Sequence, residues 1–202
     1  MIGAGGHALS ICEFASGKIC GYLAKEQSEE MPGNWLGSDS EKEALIKSGH
    51  KFHMAFIYSG LPSMKARKEL IESYEAAGAE FVSLVSPLSV VTPKTLIGEG
   101  CAIMTGAIIN RAKLGRNVVV NSGAIVEHDV SVGDNSFIGP GAVIGGFTKI
   151  GRDCFIGLGA RVGNGLVIGD NVSVAMGAVV NRNLIEPGIY HGNPLRRFNR
   201  EK

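Results

Sequence analysis

From Leu114 onward an aliphatic residue returns every six positions without a miss: Val120, Val126, Val132, Ile138, Ile144, Ile150, Ile156, Val162, Ile168, Val174 and Val180. Ile97, Ile103 and Ile109 carry the series upstream, with one residue missing before Leu114. A period of six fits neither the 3.6-residue turn of an amphipathic helix nor the two-residue alternation of a hairpin. It suits a short strand plus a tight corner, repeated, with three such units closing one triangular coil of 18 residues. The aliphatic then points into the prism. The next residue is Gly at 115, 133, 139, 145, 151, 157, 163 and 169. The fourth residue after the aliphatic is mostly small or β-branched, as at Ala124, Ser136, Ala142, Thr148, Ala160, Val172 and Ala178. On this reading glycine supplies the corner dihedrals and the small side chain fits beside the turn. That accounts for 29 glycines in 202 residues without a collagen period or a low-complexity linker. Inward aliphatics at roughly 1.5–3 kcal/mol each offset the ordering entropy of a slender solenoid.

The first 85 residues are organised differently. Gly3-Ala4-Gly5-Gly6-His7-Ala8 leads into a predicted helix over 8–15, followed by a strand over 19–23 and a polar, turn-rich stretch to Gly37. A helix is expected over 38–48, closed by Gly49, then a strand over 52–58. A second helix is expected over 62–77, with Pro62 at its start and Gly78 beyond its end. A last strand over 81–85 stops at Ser86-Pro87. Alternating strands and helices predict an α/β domain over 1–85 with a small parallel sheet of Rossmann-like character, and a parallel β-helix with a C-terminal tail over 86–202. Only Met1 and Ile2 precede Gly3, where four or five apolar residues normally stand. This points to a misassigned or trimmed start and a weakly stable first domain.

Lysine and arginine number 20 against 19 acids, a formal net charge of +1, which provides no basic field for nucleic acid or an anionic membrane. No apolar run approaches the roughly 18 residues of a spanning helix, and the start has no basic stretch followed by an apolar one. The chain therefore reads as cytoplasmic, without membrane or nucleic-acid partners. Cys12, Cys20, Cys101 and Cys154 form no CxxC pair and read as apolar fillers rather than disulfides or zinc ligands.

Gly3-x-Gly5-x-x-Ala8 formally satisfies the dinucleotide fingerprint, in which bare backbone and a helix N-terminus receive a pyrophosphate. A full dinucleotide fold needs two such halves. Half a fold fits a mononucleotide portion, such as the nucleoside diphosphate of an activated sugar; the plain alternative is a turn with no ligand. Within the hexads, Val126-Glu127-His128-Asp129 puts charge where the scaffold otherwise repeats glycine, and His128 is the only histidine in the repeats. A neutral imidazole takes a proton from an attacking amine or hydroxyl, and an adjacent carboxylate orients it. The bland alternative is a solvated corner histidine. Glu127 and Asp129 point to opposite sides of an extended segment, so at most one reaches the ring. One coil further on lies Gly145-Gly146, where missing side chains leave room for a ligand and expose backbone N–H groups. Pro140, Leu158 and Met176 recur at the coil spacing as a column, either an apolar wall for a long thin cofactor arm or ordinary corner packing.

Taken together, GAGGHA, Ser86-Pro87 at the entry to the coils, the segment from Asn121 to Asp129, Gly145-Gly146 and Gly192-Asn193-Pro194 resemble the sialic acid O-acetyltransferase and nucleotide-sugar N-acetyltransferase family of hexapeptide-repeat acyltransferases. The resemblance spans Gly3 to Arg197 and implies left-handed coils. It also implies a homotrimer with each active site between neighbouring coils, and direct transfer of acetyl from acetyl-CoA in a ternary complex without a metal. The implied acceptor is the 4-amino group of a UDP-linked amino sugar made for surface glycans. By the same resemblance His128 is the general base, Asp129 its partner and Asn121 a further catalytic residue. Gly5, Gly6, His7, Ser59 and Gly60 would face the nucleotide sugar, and Phe137, Gly146, Leu158 and Met176 would border acetyl-CoA. Two positions depart from the family pattern: Ala24-Lys25-Glu26 stands where an acidic pair helps to hold the nucleoside, and Phe137 where a histidine often lies near the thioester. Three other readings are O-acetylation of sialic acid or another sugar hydroxyl, a non-catalytic sugar-nucleotide-binding protein, and a metal-dependent hydratase. The hydratase would need three converging histidines where the repeats offer one. A nicotinamide oxidoreductase would need the missing half-domain.

Overall fold

The computed structural model describes residues 1–56, 61–193 and 195–198. Two-residue strands, each ending on a periodic aliphatic, stack so that every third strand is a neighbour, and three parallel sheets result. Val126 pairs with Ile144, Val132 with Ile150 and Ile138 with Ile156, one 18-residue coil apart. The product is a left-handed parallel β-helix. Every periodic aliphatic from Ile103 to Val180 is buried in one continuous core, and Ile97 packs against it half-buried. At the far end Gly188–Gly192 stacks on Val172–Val174 and turns back antiparallel into Leu195–Phe198.

The glycines that follow the aliphatics act differently from expectation. Their φ angles are ordinary, and a Cβ on Gly133 would lie 2.6 Å from the Gly151 carbonyl carbon, one on Gly139 2.7 Å from the Ile156 oxygen. They are glycine because the next coil lies one strand spacing away and leaves no room for a side chain. The left-handed corner dihedral falls two residues later, on Asn117, Asp129, Asn135, Gly141, Phe147 and Asp153 among others. The small residues beyond it, such as Ala124, Ser136 and Ala142, are buried inside the corners.

The prism has three corners. One carries Arg111, Asp129 and Phe147; a second Asn117, Asn135, Asp153 and Asn171; the third Gly123, Gly141, Gly159 and Gly177. Register is kept from Leu114 to Val180, and in the last coil Val174 pairs with Tyr190, sixteen residues ahead. Below Leu114, Ile109 pairs with Val126 and Ile97 with Leu114, seventeen residues ahead instead of eighteen. The missing residue is lost at the first corner, where a lone Asn110 stands between Ile109 and Arg111. The coil above has Glu127-His128 in that place.

The N-terminal part consists of short parallel contacts instead of long strands. Gly21–Tyr22 pairs with Asn34–Trp35, Ile2 bridges both Leu23 and Met54, and Phe52 bridges Phe81. Ile2, with one residue before it, is thus the central member. Leu84–Val85 pairs with Ala102–Ile103 and is already the first rung of the coil. Gly3 follows Ile2 with φ 107, and a Cβ there would meet the Ala55 and Phe56 backbone at 3.2 Å, so only glycine lets the chain turn this close to its neighbour. The α-helices α1 (Gly6–Ala15), α2 (Lys42–Lys47) and α3 (Leu61–Ala76) pack around these parallel contacts. α1 buries Ala8, Ile11 and Cys12 in one cluster with Met104, Val119 and Phe137 of a coil face. α3 docks on the second corner. Lys68 pairs with Asp153 at 3.1 Å, Glu75 with Arg116 at 3.2 Å, and the buried Arg67 donates to Asn135 Oδ1.

Candidate active site at the shortened corner

His128 is half-exposed at the first corner, directly above the lost residue. Its Nδ1 lies 3.0 Å from Asp129 Oδ2, so Asp129 is the carboxylate that meets the ring. Arg111, one coil below, donates from Nη2 to both Asp129 oxygens at 2.7 and 3.0 Å. The hydrogen bond from His128, then that from Arg111, hold the Asp129 carboxyl below the usual carboxylate range. An ionised acceptor fixes Nδ1 as the protonated nitrogen and leaves the Nε2 lone pair free. Nε2 faces Gly146: a Cβ there would stand 2.9 Å from both Nε2 and Cε1. Phe147 meets the imidazole edge-on, with ring centroids 5.0 Å apart at 89°. Asn110, Arg111, His128, Asp129 and Phe147 line an open groove of about 400 Å³. A base with a defined tautomer, an ionised orienting partner and adjacent bare backbone can deprotonate a nucleophile held in that groove.

Other candidate residues lie elsewhere on the chain. Asn121 precedes the third corner, and Leu158 and Met176 stand exposed on it, separated from His128 by the strand row that includes Ile125–Val126. Phe137 does not line the groove. It is buried against α1 on a different face, its ring stacked on Phe155 at 4.9 Å. An outward aromatic there packs the seam between the two parts of the molecule. Gly5 and Gly6 open α1 with free space where a side chain would be. His7 is next to them, pushed down to about 3 by burial and then by the charges of His53 and Arg67. Burial pushes His53 down to about 4. Among the described residues, Nε2 of His7, Nε2 of His53, and Nε and Nη2 of Arg67 have no hydrogen-bond partner. Ser59 and Gly60 lie outside the described residues. A cavity of about 690 Å³ opens at the carboxyl ends of the parallel rows, lined by Gly3, Ala4, Ala24, Lys25, Asp39 and Phe56 among others.

A family model described as bacterial transferase hexapeptide (six repeats) matches residues 111–146 and 147–182. The structure of PerB from Caulobacter crescentus, solved with CoA and GDP-perosamine, is 30% identical with a TM-score of 0.87 over 98% of this chain and 95% of that one. The chain belongs to the hexapeptide-repeat nucleotide-sugar N-acetyltransferase family. The acetyltransferase domain of PglB from Neisseria gonorrhoeae, one of whose structures carries acetyl coenzyme A, is another similar member of this family. It is 27% identical, with a TM-score of 0.88 over 98% of this chain and 97% of that one. WeeI from Acinetobacter baumannii, 22% identical, shares the fold with a TM-score of 0.81. A comparison with curated proteins finds no match.

Within this family frame, sequence reasoning missed Asn110, Arg111 and Phe147. The coil arithmetic that found Gly146 from His128 also joins Arg111 and Phe147 to Asp129, and the residue missing before Leu114 marks the coil under His128.

Proposed function

We propose that this chain is an acetyl-CoA-dependent N-acetyltransferase of a nucleotide-linked amino sugar, with His128 as general base. The observation that carries the reading is the Arg111–Asp129–His128 relay ending on an Nε2 that faces Gly146, in a chain of this family. His128 Nε2 takes the proton of the acceptor amine as its nitrogen attacks the thioester carbonyl, and the imidazolium is stabilised by Asp129. The Gly146 N–H, which has no backbone partner among the described residues, points to an oxyanion donor. Collapse of the tetrahedral adduct expels the CoA thiolate, which takes up the proton.

The N-terminal row, in the order Trp35, Tyr22, Ile2, Met54, Phe81, runs 3-2-1-4-5 and supports a Rossmann-like mononucleotide half. This half ends at Ser86-Pro87, and its last strand, Leu84–Val85, pairs with the coil strand Ala102–Ile103. Gly5, Gly6 and His7 would meet the diphosphate and the cavity beside Ala24-Lys25 the nucleoside, for which PerB's GDP-sugar and a UDP-sugar are the two candidates. These groups and Asn121, Leu158 and Met176 stand away from His128 in one chain. A homotrimer that sets the first corner of one copy against the third corner of the next would unite them.

The test is an acceptor panel with acetyl-CoA and thiol detection. The panel holds UDP- and GDP-linked 4-amino sugars, sialic acid and hydroxylated sugars. Thiol release with an amino-sugar nucleotide alone is expected. Release only with sialic acid would make the protein an O-acetyltransferase, and binding without turnover would make it a sugar-nucleotide-binding protein.

A further inference from the structure

Left-handed corner residues of the coil are Gly, Asn or Asp, which tolerate that conformation, except Arg111 and Phe147. Arg111 is tied to the Asp129 carboxylate. Phe147 has no such compensation: at φ 63 it is strained, and with 61% of its surface exposed it contributes little to the core. What it touches is the His128 ring, at right angles and 5.0 Å between centroids. A large apolar side chain held at a strained backbone position, mostly exposed in the single chain and beside His128, fits a residue kept for a ligand.

The rest of the groove identifies the ligand chemistry. Asn110, Arg111 and Asp129 line the same groove with an amide, a guanidinium and a carboxylate. A hexose presents a face of C–H bonds rimmed by hydroxyls, which matches one aromatic ring and a few polar side chains. The long thin arm of an acyl donor instead asks for a run of apolar surface, and that is the character of the Leu158 and Met176 column at another corner.

We infer that Phe147 is a specificity-determining wall of the acceptor pocket. Its free ring face packs on the C–H face of the amino sugar while the amine is presented to His128, favouring a deoxygenated sugar over one with a hydroxyl against the ring. This rests on the N-acetyltransferase reading of the same groove.

The experiment compares Phe147→Asn and Phe147→Tyr in the full chain. Asn accepts a left-handed φ, so the Tm should rise by about 2–8 °C, while KM for the amino-sugar nucleotide rises about 10-fold or more. KM for acetyl-CoA should stay within about two-fold, and the preference for a deoxy acceptor over its hydroxylated counterpart should collapse. Tyr keeps the ring face and should keep the wild-type acceptor KM. An unchanged acceptor KM in Phe147→Asn, a rise confined to acetyl-CoA, or a change of assembly state by light scattering would overturn this assignment alone. Inactivity of the unaltered protein on every amino-sugar nucleotide would overturn the N-acetyltransferase reading and this assignment with it.

Discussion

His128 draws its competence from the residues on either side of it. Asp129 and Arg111 set its tautomer from one side, and Gly146 lets the next coil approach its free nitrogen from the other. Because the ring is half-exposed and outside the core, His128→Ala should lower kcat by about 10²–10⁴-fold. The thermal melt should barely move; undiminished turnover would remove His128 from the chemistry. Gly146→Ala is the complementary probe. Its Cβ would lie 2.9 Å from the imidazole, so the ring must swing off Asp129, and a loss of about 10²-fold in kcat/KM is expected. An Ala variant with wild-type kinetics would show that this approach is irrelevant. His128 and Gly146 were both legible from sequence, since one breaks the repeat and the other lies one coil away. Phe147 was not, because its significance lies in a backbone angle and an exposed ring that residue type does not report.

At the scale of the element, the coil is regular from Leu114 to Val180 and one residue short under His128. Asn110 stands alone before Arg111 where the coil above has two residues, and the groove opens at that place. Inserting one glycine between Asn110 and Arg111 would restore eighteen-residue spacing. The stacked core, whose aliphatics keep their register, should tolerate it. The Tm should change by only a few degrees, while kcat/KM falls about 10²-fold as the added residue fills the cleft beneath His128. Wild-type kinetics with a fully folded insertion variant would show that the shortening has no part in the site. The repeat was plain in the sequence because each coil repeats one chemical requirement, an inward aliphatic. The role of its glycines was misjudged, because clearance to a neighbouring coil is a property of two coils and not of one corner.

For the whole molecule, the seam between the N-terminal part and the coil is where acid should act first. His7 and His53 are held neutral there, with folded values of about 3 and about 4, below the ordinary value of roughly 6.5 for the unfolded chain. The unfolded state therefore binds the extra protons as pH falls. Stability is present in full above about pH 6.5 and is lost toward pH 4 and below, at up to about 1.4 kcal/mol per pH unit for each histidine. Melts from pH 7.5 to 4.5 should show this decline, and His53→Gln should flatten it; a profile level across that window would exclude the mechanism. The same seam shows where sequence reading ends. The six-residue period, read alone, determined the solenoid, its core and the histidine that interrupts it, because those depend on contacts repeated along the chain. Only the tertiary structure decided that Asp129 and not Glu127 meets the ring, that Phe137 packs with α1, and that Asn121 and the Gly3–His7 turn stand apart from His128. Those facts depend on which of three corners each residue occupies and on what packs against each face, and no local pattern encodes a relation between distant segments.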